Sequence, residues 1–225
     1  MTITCNPTKT EERRINMEQY LRENVLDEVH GRFLCRSADA CKGSHSGIFY
    51  EGQLHHLGRF YDIAIDGKPF RTVVVGQEYG GEPNHFSCAN RYQDIFENCG
   101  LGARFTNSEG YPPRNPHMKG TTSALRLVFG APLGVDHASE FLSIQGQRQH
   151  IFDAFALVNY LLCSAMRRGE GSRGAATHRM KENCRCHFRE VMKILEPVIV
   201  IVQGKGYWDY MKSSFDDVRQ QAEHL

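Results

Sequence analysis

Three short apolar runs punctuate the chain: Thr72-Val-Val-Val-Gly76, Phe155-Ala-Leu-Val-Asn-Tyr-Leu-Leu-Cys163 and Val198-Ile-Val-Ile-Val202. None alternates with polar residues as a half-solvated strand does. Short continuous runs of this kind, spaced by helix-like stretches, predict a parallel sheet buried on both faces. Each run breaks into polar or glycine-containing sequence: Gln77-Glu78-Tyr79-Gly80, Asn159 with Cys163, and Gln203-Gly204. Open α/β sheets gather ligands at the carboxyl ends of their strands, so the chemistry is expected along that one edge.

The stretches between read mostly as helices. Residues 10 to 29 predict an amphipathic helix with Thr10 as N-cap, Glu11 and Glu12 in its first turn and Ile15, Tyr20, Leu21, Val25 and Val29 on one face, ending near Gly31. Ala89 to Asn98 predicts a helix stopped by Gly100, and Thr122 to Phe129 a short one stopped by Gly130. Residues 106 to 122, with Pro112, Pro113 and Pro116, read as a loop. Arg179 to Leu195 places Met180, Cys184, Phe188, Val191, Met192 and Leu195 on one side before Pro197 ends it. A last helix is predicted from Tyr207 to His224, with Trp208, Met211, Phe215 and Val218 inward. Phe60 to Ile65, followed by the tight-turn signal Asp66-Gly67, predicts a short strand pairing ahead of the one at 72 to 76.

A length of 225 residues suits one domain of generous size, here 1–225 with an N-terminal helical segment over 1–31. No run of eighteen apolar residues predicts a membrane span, and the start shows no basic region leading into an apolar core, so a cytoplasmic monomer is expected. A net charge of +1 gives no bulk basic excess of the kind that marks phosphate-bound proteins. Local clustering adds a basic, glycine-rich loop holding Arg167, Arg168, Arg173, Arg179 and Lys181, which reads either as a solvated connection or as a phosphate contact.

In a reducing compartment, eight cysteines read as core thiols, metal ligands or redox groups rather than disulfides. Cys35 and Cys41 share one loop, Cys163 ends an apolar run and Cys184 lies early in the next helix. Four thiolates converging from these places could hold zinc or an iron–sulfur cluster. The C-x5-C loop spacing is wider than zinc sites commonly use, so buried free thiols stand beside that reading, and Cys186 is an alternative to Cys184. Cys5, Cys88 and Cys99 have no paired arrangement and read as structural.

The order Val75-Gly-Gln-Glu-Tyr-Gly80, Asn159-x3-Cys163, Glu182-Asn-Cys184 and Pro197-Val-Ile-Val-Ile-Val-Gln-Gly204 resembles the iron–sulfur uracil-DNA glycosylases of family 4 and their relatives. The resemblance spans about residues 33 to 210 and is poor from 88 to 150. It implies an α/β three-layer sandwich with a central, mostly parallel sheet of about four strands, and a structural [4Fe–4S] cluster on Cys35, Cys41, Cys163 and Cys184. It also implies a DNA partner carrying uracil or a damaged base. Asn159 falls where the family reads the base edge, a task that suits a carboxamide because it offers a donor and an acceptor in one plane; tying two strand ends together is its bland role.

Family 4 usually shows Gly-Glu-Ala-Pro-Gly where this chain has Gly76-Gln77-Glu78-Tyr79-Gly80, while family 1 shows Gly-Gln-Asp-Pro-Tyr. Glu78 falls at the place of that Asp, which implies a carboxylate orienting water beside Gln77, with Gly76 against the base. Phe86 is a candidate to stack on a flipped base, with core packing the alternative, and Arg167, Arg168 and Arg173 are candidate phosphate contacts.

Two features depart from the family. Ser164-Ala165-Met166 replaces its usual Arg-Pro-Pro, and its His-Pro-Ser motif, which follows one further strand, has no counterpart before Leu225. Either that last strand is absent by nature or the sequence is a truncated one. The expected activity is hydrolysis of the N-glycosidic bond of uracil or a related base. The rivals are a catalytically silent iron–sulfur nucleic-acid binder of the same fold, and a cluster-free α/β enzyme acting on a small metabolite.

Overall fold

A computed structural model describes residues 2–27, 29–30, 32–52, 54–78, 87–108, 110–167 and 174–215. The chain opens with strand β1 (Ile3–Cys5) and helix α1 (Pro7–Asn24). Asn6, not Thr10, caps α1, accepting from the Lys9 N–H at 3.1 Å, and Pro7 enters the first turn where a missing N–H does no harm. The helix stops at Asn24, so of the predicted face Leu21 and Val25 are buried whereas Ile15 and Val29 are exposed.

There follow the β2 (Leu26–Asp27) and β3 (Arg32–Phe33) pair, α2 (Ala38–Gly43), β4 (Ile48–Glu51), β5 (His56–Leu57), β6 (Ile63–Ile65), β7 (Lys68–Pro69) and β8 (Thr72–Gly76). Helix α3 (Cys88–Tyr92) runs into a nine-residue π-helix, Gln93–Leu101, whose closing bond reaches from the Gly102 N–H to the Glu97 carbonyl at 2.7 Å. This wide turn carries the helix past Gly100, the predicted stop. Next come α4 (Pro116–Val128), the hairpin β9 (Phe141–Ile144) and β10 (Gln147–His150), β11 (Ala156–Asn159), β12 (Cys163–Met166), α5 (His178–Leu195), β13 (Ile199–Val202) and α6 (Trp208–Met211).

The three predicted runs become neighbours in one mixed sheet of order β13-β8-β11-β5, with β13, β8 and β11 parallel and β5 antiparallel at the edge. Val73, Val74 and Val75 are fully buried, and alternate residues enter opposite cores. Val73, Val75, Ala156 and Val158 meet α1 and α5, while Val74, Leu157 and Ile201 meet α4 and the π-helix. Burial of each valine contributes about 1.5–3 kcal/mol, and helices on both faces explain why these runs carry no polar alternation.

Four expectations need correction. The Phe60–Ile65 strand pairs with β1 and, through the Asp66-Gly67 turn, with β7, in a second sheet of order β10-β9-β1-β6-β7, and not with β8. The 155–163 run is not one strand: it ends at Asn159, and Cys163 opens β12, which pairs antiparallel with β4. Pro116 is no breaker but the first residue of α4, capped by Asn115. Finally, Trp208, at the start of α6, is 48% exposed and stacked on Phe215 rather than turned inward; helical residues resume at 213–215, and residues 216 to 224, Val218 among them, lie outside the described residues.

Candidate functional site

Parallel pairing between β8 and β11 puts Asn159 directly opposite Gly76. Pairing continues one step past the sheet, from the Tyr160 N–H to the Gly76 carbonyl and from the Leu161 N–H to the Gln77 carbonyl, each at 2.9 Å. The two polar closures are thereby locked side by side at the carboxyl edge. The chain leaves β8 for β11 across one face of the sheet, by α3 and α4, and leaves β11 for β13 across the other, by α5. At the edge where these crossovers diverge lies a cleft of about 1030 Å³ that takes in Gln77, Glu78, Asn159, Gln203 and Gly204.

Its floor is rich in neutral amides. The Asn159 side chain is buried, its Nδ2 reaching the Leu54 carbonyl at 3.5 Å and its Oδ1 facing the space above Gly76. Gln203 is held by the Thr121 hydroxyl at 3.1 Å and the His117 carbonyl at 3.4 Å. Gln77 lies flat on Gly204, where a Cβ would overlap its Nε2; with φ of 116°, that position also requires glycine.

Glu78 leaves the floor for the wall formed by β12. Its Oε2 accepts from the Ala165 N–H at 3.3 Å, and its carboxylate crowds Gly174, which has no room for a Cβ. Burial raises its pKa above the ordinary carboxylate value, against the opposing pull of the Ala165 N–H and Lys181. A carboxyl with a raised pKa in a cleft is a candidate for proton transfer. Lys181 faces the same cleft with its ammonium 4.7 Å from the Tyr207 ring centre and 5.2 Å from that of Tyr210, and Arg91 joins the lining from α3.

Gly76, Gln77, Glu78 and Asn159 are therefore brought together. Phe86, Arg168 and Arg173 lie outside the described residues, and Arg167 stands exposed just past β12, away from the cleft lining, which holds Lys181 and a buried Arg91 paired with Asp94 at 3.1 Å. Sequence reasoning missed His117, in the first turn of α4, whose ring lies over Gly76; the signal was the Asn115-Pro116 pair, an N-cap followed by a proline suited to the first helical position.

Cys41 of α2, Cys163 of β12 and Cys184 of α5 lie in one buried core, with Cys35, ahead of α2, near enough to act on Cys163. Burial first, then the nearness of Cys184, Cys35 and Cys41, drives the Cys163 thiol far up, and burial with Cys41 and Cys35 nearby pushes Cys184 up to about 12. Asn183 donates to the Cys41 sulfur at 3.2 Å, and Cys35 meets His187 at 3.5 Å. Cys186 instead turns its S–H to the Asn183 carbonyl of its own helix, which favours Cys184 as the fourth member. None of the eight cysteines forms a disulfide. Zinc bonded to sulfur at about 2.3 Å needs thiolates under about 4 Å apart, but no three of these sulfurs lie within 4.8 Å of one another.

Among the described residues, the one set of three metal-type donors within 4.8 Å is His137, Glu140 and His150. It reads as a polar core and not as a cation site, because Arg114 donates to the same Glu140 oxygen at 2.7 Å and already supplies the positive charge. His150 accepts from the Phe152 N–H at Nδ1, which leaves its Nε2 to donate to Glu140. No family model, curated protein or solved structure matches the chain.

Proposed function

We propose that the chain is an N-glycosyl hydrolase of the uracil-DNA glycosylase kind, taking uracil or a related damaged base out of DNA. One observation carries the reading: Asn159 stands in register with Gly76 at the carboxyl edge of a parallel sheet, so its carboxamide joins that of Gln77 in an amide-rich cleft. Base edges are rows of alternating donors and acceptors, which neutral amides match and which isolated charges do not. In this reading Asn159 pairs with the base edge and Gln77 and Gly76 border it. Glu78 orients the water that attacks the sugar, and Lys181 with Arg167, Arg168 and Arg173 meets phosphate. Helices on both faces of the sheet fit the layered fold that the resemblance implies.

The nearness of Cys35, Cys41, Cys163 and Cys184 in and beside one core supports a structural iron–sulfur cluster on these four residues. It would tie α2, β12 and α5 behind the cleft, and it takes no part in the hydrolysis proposed here. Incubation with a single-stranded oligonucleotide containing one uracil, followed by alkali, tests the reading. Strand scission that vanishes in Asn159→Ala supports it, whereas retarded migration without scission leaves a nucleic-acid-binding module, and neither result leaves the small-metabolite alternative.

A further inference from the structure

A second concavity, of about 780 Å³, lies between α1 and α3, over the edge strand β5 of the central sheet. It shares no described lining residue with the amide-rich cleft. Met17 and Leu57 are buried in its floor, and Cys88 and Tyr92 stand half-buried on its α3 side. The charges around it are already matched. Arg14 is paired with Glu11 and with Glu18, the latter at 2.6 Å, and Arg59 with the buried Asp153 at 2.7 Å. An anion therefore finds no spare cation in this lining, and the one carboxylate outside these pairs, Glu97, is exposed.

His55 breaks this pattern of matched groups. It lines the same concavity, is 2% exposed, and neither of its ring nitrogens has a hydrogen-bond partner among the described residues. Its neighbour His56, by contrast, donates to the Phe152 carbonyl from Nε2 at 2.8 Å. A buried polar atom without a partner loses its hydration and gains nothing in exchange. Two such atoms on one side chain mark a place for a partner from outside the fold. Burial, then Arg91 and His187 nearby, lower the His55 pKa to about 3, so the ring is neutral and offers one N–H and one lone pair. With no bond on either nitrogen, the ring gives up nothing by turning toward a newcomer.

We infer that the groove between α1 and α3 is a binding site for a small uncharged molecule of the phenol class, a flat apolar body carrying one hydroxyl. The body lies against Met17, Leu57 and the Tyr92 ring, and the hydroxyl pairs with His55. A hydroxyl suits either tautomer of the ring, because it both donates and accepts. The matched charges at the rim exclude an ionic ligand by leaving it without a countercharge. This site is separate from the glycosidic reading and stands or falls without it.

Phenol and toluene have nearly the same shape and differ in the hydroxyl, so NMR titration of the full chain with each isolates the proposed bond. His55→Phe keeps a ring and removes both nitrogens. It is expected to weaken phenol about tenfold and to leave toluene unchanged or bound more tightly. Equal changes for the two probes, or a wild-type protein that does not bind phenol, overturn the site. Should His55→Phe fail to fold, the wild-type protein supplies a second readout from the half-buried Cys88 in the groove wall. Phenol is expected to slow its alkylation by iodoacetamide, located by peptide mass mapping, and to leave that of Cys186 on α5 unchanged. Cys88 alkylated at the same rate with and without phenol overturns the assignment.

Discussion

Gly76 faces Asn159 across the β8–β11 pairing, and a side chain there would meet the His117 ring at 3.2 Å and the Asn159 oxygen at 3.4 Å. Gly76→Ala would press a methyl against the His117 ring and the Asn159 amide that borders the proposed base site, without straining the backbone, since Gly76 is not among the glycines with positive φ. The chain gains slightly from a less flexible unfolded state and loses slightly from the tight contact. Thermal melting is therefore expected to move by no more than about 4 °C, while excision falls about tenfold or more. Unchanged kinetics would place the base elsewhere.

Glu78 ties the proposed chemistry to stability with a definite sign. Its folded pKa is raised, so ionisation disfavours the native state: the contribution is most favourable below the unfolded value of 4.5 and is lost as pH rises through the raised one. Glu78→Gln removes the ionisable proton but keeps an acceptor for the Ala165 N–H. At pH 7 the variant should melt at or above the wild-type temperature. That advantage should shrink near pH 4, and activity should be lost at both. A variant less stable than wild type at pH 7 would show that the charged form is the one the fold prefers.

The strands of the site were legible because burial on both faces writes itself as unbroken β-branched runs, and Thr72–Gly76, Ala156–Asn159 and Ile199–Val202 follow that rule. Less visible were elements defined by partners distant in sequence. Cys163 looks like a strand end because Tyr160-Leu-Leu is apolar, but those residues are buried in a turn between two strands, and hydropathy does not record the change of direction. His117 was hidden by its own proline context, since Pro112, Pro113 and Pro116 read together as breakers although the last begins a helix. The β1–β6–β9 sheet escaped notice because three-residue strands such as Ile3–Cys5 are set by pairing, not by local pattern.

The neighbouring thiols allow a separation of ligand from packing roles. If Cys35, Cys41, Cys163 and Cys184 hold a four-iron cluster, Cys41→Ser should remove most of the iron and lower the melting temperature, because α2 would lose its tie to β12 and α5. Cys186→Ser should keep the iron, as its S–H is spent on the Asn183 carbonyl. Iron analysis beside thermal melting of the two variants checks this, and equal iron in Cys41→Ser and wild type would return these sulfurs to ordinary core packing.

Away from the cleft, Arg114 and Glu140 form an ion pair with both side chains fully buried. Burial alone would raise the Glu140 pKa, but the hydrogen bonds from His150 and Arg114 outweigh it and lower it to about 2. A depressed carboxylate contributes stability above its unfolded value of 4.5 and loses it as pH falls toward about 2. Glu140→Gln would leave the guanidinium buried, still bonded to the Cys99 and Gly100 carbonyls and the Thr122 hydroxyl but without a countercharge. Breaking such a pair from one side costs about 3–5 kcal/mol. The variant's deficit by chemical denaturation should be full at pH 7 and much reduced near pH 3, where the wild-type pair is itself weakening. A deficit that stays constant across that range would mean that shape, and not charge, fixes this residue.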